Sequence, residues 1–200
     1  MIAWINFTVL IISGVLMHVF YLMSVRPAAL EQKIGPQAYQ RSALYRRIVG
    51  VFMFFIPINY IVYHWYPLPI DPFPVTFSWP YWVSAVIALL IAIPCGYLMW
   101  RSMKDAGDEA LTPDKSHTMY SGIYQKIRHP MALGEMPLWW VMAFLIHSPF
   151  LVLFSFVWVP VWTWWCVAEE KDLLLRYGDA YALYMEQTGM FIPKRRAKLA

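Results

Sequence analysis

A chain of 200 residues that is 60% hydrophobic, 14% charged and carries 11 tryptophans is too apolar for an ordinary water-soluble domain. Its mean hydropathy of +0.47 points to an integral membrane protein, and the net charge of +4 is then explained by topology and by anionic headgroups, with no nucleic-acid role implied. Cys95 and Cys166 lie far apart inside apolar stretches, so neither a disulfide framework nor a metal site is expected.

Apolar stretches near the roughly 20 residues that span a bilayer run from Ile2 to Ser24, Ile48 to Tyr66, Tyr81 to Trp100, Met131 to Ile146 and Phe150 to Ala168. The expected fold is all-α: a polytopic membrane protein with five transmembrane helices. In the first span His18, and at the end of the second His64, read as neutral hydrogen-bonding groups rather than haem ligands, since no second histidine pair or CxxCH accompanies them. Between those spans, Pro27 to Tyr45 places Ala28, Leu30, Ile34, Ala38 and Tyr39 on one stripe suited to the bilayer surface. Pro57, Pro94, Pro137 and Pro160 interrupt spans and are expected to kink them.

All 16 lysines and arginines fall on one side of this five-span arrangement, which makes that side cytoplasmic and puts the N-terminus outside. The first span lacks a basic segment before it, which suits a retained anchor rather than a cleaved signal. A polar segment follows the third span, from Arg101 to Pro130, long enough to be functional. Spans four and five are joined only by His147-Ser148-Pro149 and should form an antiparallel hairpin. Beyond them Leu173, Leu174, Tyr177, Tyr181, Tyr184 and Met185 recur at helical spacing, which predicts an amphipathic interfacial helix with Gly178 as a possible break.

The hairpin geometry should bring Arg128-His129-Pro130 beside Glu169-Glu170, with Tyr124 close by. Ions at the edge of hydrocarbon are costly and usually hold something polar. Two carboxylates, two basic groups and a phenol suit a zwitterionic or nucleoside-bearing cofactor; the same cluster reads equally as an ion-pair network anchoring helix ends. Glu135, one turn into span four, is a further functional candidate whose bland alternative is pairing with Arg128. Trp139, Trp140, Trp162, Trp164 and Trp165 suit a lipid-sized pocket or an interfacial aromatic belt.

These residues resemble a known family, the small integral-membrane S-adenosylmethionine-dependent methyltransferases that include isoprenylcysteine carboxyl methyltransferase and phosphatidylethanolamine N-methyltransferase. The resemblance covers residues 117 to 193. It rests on His117-Thr118-Met119-Tyr120, Ser121-Gly122-Ile123-Tyr124, Arg128-His129-Pro130 with Gly134, Glu169-Glu170 with Leu173, Tyr177-Gly178, Tyr181 and Tyr184, and the closing Thr188-Gly189 and Pro193. It implies S-adenosylmethionine as cofactor, held by His117, Thr118, Met119, Tyr120, Tyr124, Arg128, His129, Pro130, Met131, Ala132 and, as the principal carboxylate, Glu169. It further implies a single membrane domain with a three-span scaffold at 1–100 and a cofactor-binding half at 101–200: loop 101–130, hairpin 131–168, helix and tail 169–200.

Ala132 stands where the family usually has an aromatic residue, and the His117 to Gly122 stretch is one residue shorter than in the isoprenylcysteine enzymes. Trp165 takes the position of an arginine those enzymes associate with substrate, so the acceptor is left unnamed beyond a lipophilic small molecule or membrane lipid. Trp139 and Trp165 are the expected pocket residues, and Glu135 or Glu170 the expected base for an acceptor that must lose a proton. No obligate protein partner is expected. An NADPH-dependent membrane reductase resembling the sterol reductases shares an RHP segment, but Met131 replaces the asparagine those enzymes place after the proline; a catalytically silent scaffold is the third alternative.

Overall fold

A computed structural model describes residues 1–71, 73–107 and 121–194, and it is all-helical over those residues. The helices are α1 (Ile2–Ser24), α2 (Pro27–Ile34), α3 (Gln37–Trp65), α4 (Tyr81–Ala106), α5 (Pro130–Glu135), α6 (Leu138–Leu145), α7 (Pro149–Phe154), α8 (Trp158–Tyr177) and α9 (Asp179–Gln187). Tighter 3₁₀ turns occupy Gly122–Gln125 and Ser155–Val157. Four helical runs are long and apolar enough to cross a membrane: α1, α3, α4 and the continuous stretch Pro149–Tyr177.

The stretch expected as span four, 131–146, consists instead of α5 and α6, of 6 and 8 residues. The break lies at Met136-Pro137, because Pro137 has no N–H for the carbonyl one turn back and its ring crowds that turn. Backbone bonding resumes when Trp140 N donates to Pro137 O at 3.0 Å. Pro57 and Pro94, by contrast, sit inside α3 and α4, which continue past them.

Two boundaries differ from expectation because charge is tolerated where a helix leaves hydrocarbon. α3 begins at Gln37, 11 residues before the expected Ile48, so Arg41, Arg46 and Arg47 are helical. α8 runs on to Tyr177, nine residues past Ala168, and stops at Gly178, whose φ of 57° suits a residue without Cβ.

α2 is no free surface stripe. Its first turn is capped from a distant element: Ala28 N and Ala29 N donate to the Asp172 carboxylate at 3.0 and 2.8 Å, which satisfies two of the amides every helix start leaves open. Ala28 and Ala38 are consequently buried, while Ile34 stays exposed.

α1 packs along α3, whereas α4 packs on α5 and α6. Between these layers the core gathers Met17, Ile56, Tyr60, Trp139, Leu151 and Trp158. Polar groups inside it are paired: Asn6 Nδ2 donates to Asn59 O at 3.0 Å, Trp158 Nε1 donates to the Tyr60 hydroxyl at 3.2 Å, and that hydroxyl lies 3.2 Å from Ser155 Oγ. Burying such groups without partners would be expensive, most of all in lipid.

Candidate functional site

The site grows from the segment that enters α5. At the end of α4, Asp105 accepts from Arg101 Nε at 3.0 Å and from Ile123 N at 2.7 Å, which fixes the turn Gly122–Gln125 and points Tyr124 inward. The Tyr184 hydroxyl on α9 donates to Tyr124 O at 2.6 Å. Two further backbone bonds tie the segment to the chain beyond α9, Arg128 N to Gly189 O at 2.9 Å and His129 N to Met190 O at 3.1 Å.

Arg128 and Glu170 form the centre of this clasp. Arg128 Nε donates to Glu170 Oε1 at 2.6 Å, and its Nη1 donates to Met185 O at 3.2 Å and to Thr188 O. His129 Nε2 lies 2.9 Å from the same Glu170 oxygen; an ionised carboxylate can only accept, so this nitrogen carries the proton. His129 Nδ1 is 3.7 Å from Glu169 Oε2. The charged pairs therefore meet as expected, but with unequal roles. Glu170 is shut in at 7% side-chain exposure, while Glu169 keeps 29%.

α5 offers two faces to two neighbours. A Cβ on Gly134 would lie 2.8 Å from Met99 N and 2.9 Å from Cys95 O, so only glycine lets this short helix rest on the α4 backbone. That contact turns Met131, Ala132 and Glu135 toward a cavity of about 230 Å³. Tyr124, Arg128, His129, Glu169 and Trp165 line the same space. Glu135 does not pair with Arg128, which is taken by Glu170 and the α9 carbonyls.

Several expected site residues lie elsewhere. Pro130 is buried at the first position of α5 and does not reach the cavity; Glu170 is likewise outside its lining. Trp139 is a correction: it belongs to the core, stacked on Trp158 with centroids 5.1 Å apart, because the break at Pro137 rotates α6 out of register with α5. His117, Thr118, Met119 and Tyr120 lie outside the described residues.

Other lining residues were not foreseen. Tyr21 comes from α1, and Arg46, Val49, Gly50 and Met53 from α3, a half read only as scaffold. The spacing of 46, 49, 50 and 53 was the available signal. Tyr21 and Trp165 stack at 4.0 Å, and Trp165 Nε1 donates to His18 Nδ1 at 2.8 Å, so His18 orients a cavity wall. Tyr181 and Tyr184, expected to lie on lipid, line the cavity instead, because Gly178 redirects α9. Burial, followed by the Glu169 charge, pushes the Tyr124 hydroxyl far above its usual range. Burial raises Tyr184 to about 12, with Arg128 opposing and Glu170 adding. Both remain neutral hydrogen-bonding phenols near neutrality.

The arrangement is a partly apolar cavity with one accessible carboxylate on α8, a second on α5, and aromatic rings on several sides. Ring faces suit a purine or a sulfonium, and a carboxylate suits ribose hydroxyls. The family model for phospholipid methyltransferase matches residues 82–180. No curated protein matches the chain.

Proposed function

Since residues 82–180 belong to the phospholipid methyltransferase family, in a chain whose four long apolar helices make it a multi-pass membrane protein, we propose that it transfers a methyl group from S-adenosylmethionine to a lipophilic or amphiphilic small molecule at the cytoplasmic membrane face. One observation carries the reading: adjacent glutamates divide the work, Glu170 closing the wall through Arg128 and His129 while Glu169 stays accessible in the cavity.

Glu169 is the carboxylate for the cofactor's ribose hydroxyls, and the rings of Tyr124, Tyr181 and Tyr184 form the apolar surface for its purine. When bound, S-adenosylmethionine supplies an electrophilic methyl on a sulfonium, released to an attacking lone pair as the carbon–sulfur bond's electrons return to sulfur. The protein's contribution is mainly placement in a dry space, which can account for much of a displacement's rate. Trp165 and Tyr21 wall the acceptor side, and Ala132 leaves room where a ring would narrow it. An acceptor that is already anionic needs no base; an amine or thiol passes its proton to Glu135, the carboxylate on α5 facing the same space. Glu170, held by two donors, is a positioning residue rather than a base.

The test is calorimetric. Purified wild-type protein should bind S-adenosylmethionine, and Glu169→Gln should abolish that binding. Unchanged affinity would sink the assignment. Stabilisation by NADPH and not by S-adenosylmethionine would establish the reductase reading, and stabilisation by neither the silent scaffold.

A further inference from the structure

The α3 wall of the cavity carries chemistry that holding the cofactor leaves unused. Arg46, Val49, Gly50 and Met53 line it together, one stripe of a single helix by their spacing. Arg46 stands just before the apolar run that starts at Ile48, at headgroup level. Gly50 and Met53 lie about 6 and 10 Å further along the helix axis. Gly50 is exposed, and a Cβ there would meet nothing within 4 Å, so the wall is notched at this point.

The notch opens between the two layers of the fold. α3 packs mainly on α1 and α2, and α4 mainly on α5 and α6; Met53 of one layer and Met103 of the other line the same space. The result is a slot with a cation at its rim and thioethers deeper in. A charge beside hydrocarbon is costly unless it holds something polar. A guanidinium presents a planar fork that fits a carboxylate or phosphate, and methionine adapts to irregular apolar chains. Arg128, the other cavity cation, is occupied by Glu170 and two carbonyls.

Building on the methyltransferase reading, we propose that Arg46, Gly50 and Met53 form an acceptor subsite for an amphiphile with an anionic head, a carboxylate or phosphate, whose tail lies over Gly50 toward Met53. The reacting end is thereby brought beside Trp165 and Glu135, and specificity is set by α3 rather than by the α8 position that Trp165 fills.

The probes are dodecyl phosphate, dodecanoate, dodecanol, dodecyltrimethylammonium and inorganic phosphate, with affinities read from thermal stabilisation of the full chain in maltoside detergent. The two anionic amphiphiles should bind about tenfold or more tighter than dodecanol, the expectation for a charge-assisted hydrogen-bonded contact. Arg46→Gln should remove that preference and Arg46→Lys retain part of it. Gly50→Leu should weaken every dodecyl probe alike. Calorimetry with S-adenosylmethionine should give wild-type affinity for all three variants, which also confirms that they fold. No preference for anionic probes in the wild type overturns the proposal. So does a loss of S-adenosylmethionine affinity in Arg46→Gln with the amphiphile preference intact, which would assign the guanidinium to the cofactor's carboxylate. Inorganic phosphate binding as tightly as dodecyl phosphate overturns the tail slot in favour of a free-anion site. A wild type that binds no S-adenosylmethionine yet still discriminates among amphiphiles would refute the methyltransferase reading and leave the subsite standing.

Discussion

Neighbouring glutamates with opposite duties give a sharp double test. Glu170→Gln removes the charge that compensates Arg128, whose side chain is only 8% exposed. Removing one partner of a buried pair costs about 3–5 kcal/mol, and the amide still offers an oxygen to Arg128 Nε, which puts the expected loss near the lower end, about 3 kcal/mol. For a chain of this size that is a fall of about 6–12 °C in melting temperature. Glu169 faces the cavity and keeps 29% exposure, so Glu169→Gln should move the melting temperature by no more than a few degrees while abolishing S-adenosylmethionine binding. Both variants would be followed by thermal denaturation in detergent and by calorimetry, with far-UV dichroism as a check on helix content. A destabilised Glu169→Gln that still binds, beside a stable Glu170→Gln that does not, would reverse the assignments.

Gly134→Ala sets a Cβ against the α4 backbone at Met99 and Cys95; overpacking of this kind costs about 1–3 kcal/mol and should appear as a lower melting temperature. Asp172→Ala opens the amides of Ala28 and Ala29, a cap loss of about 1 kcal/mol that should expose α2 to faster hydrogen exchange while leaving α5 protected. Because Tyr184 is raised to about 12 against about 10 in an unfolded chain, the folded state holds this proton more tightly. Its contribution is complete below pH 10 and is lost as pH climbs toward 12. Tyr184→Phe should therefore flatten the alkaline limb of a stability–pH curve, and an unaltered limb would place the transition on another group.

The charged mouth was legible because ions are conspicuous in so apolar a chain, and the short link before Pro149 forced Glu170 back toward Arg128. Helix ends were less legible. Hydropathy reports where hydrocarbon ends, whereas α3 and α8 continue into the headgroup region as ordinary amphipathic helices. Pro137 was visible as an interruption, but not its outcome, a rotation that sends Trp139 into the core while Trp165 stays at the cavity. The contributions of Tyr21 and Arg46 depend on which helices become neighbours, a tertiary fact that spacing within one segment does not encode. Tyr181 and Tyr184 show the same limit: their periodicity marked an apolar face without saying whether lipid or a cavity would cover it.

The clasp that joins residues 127–129 to 188–190 also bears on modularity. The bonds that close the wall join positions 128 with 170, 124 with 184 and 128 with 188, so its cofactor side is assembled from the two ends of a long excursion rather than from one supersecondary unit. A fragment ending at residue 180 would keep Glu169 and Glu170 but lose both cavity tyrosines of α9 and every carbonyl that holds Arg128. The smallest transplantable piece of this protein thus extends through Met190, and its boundary is drawn by hydrogen bonds of the main chain.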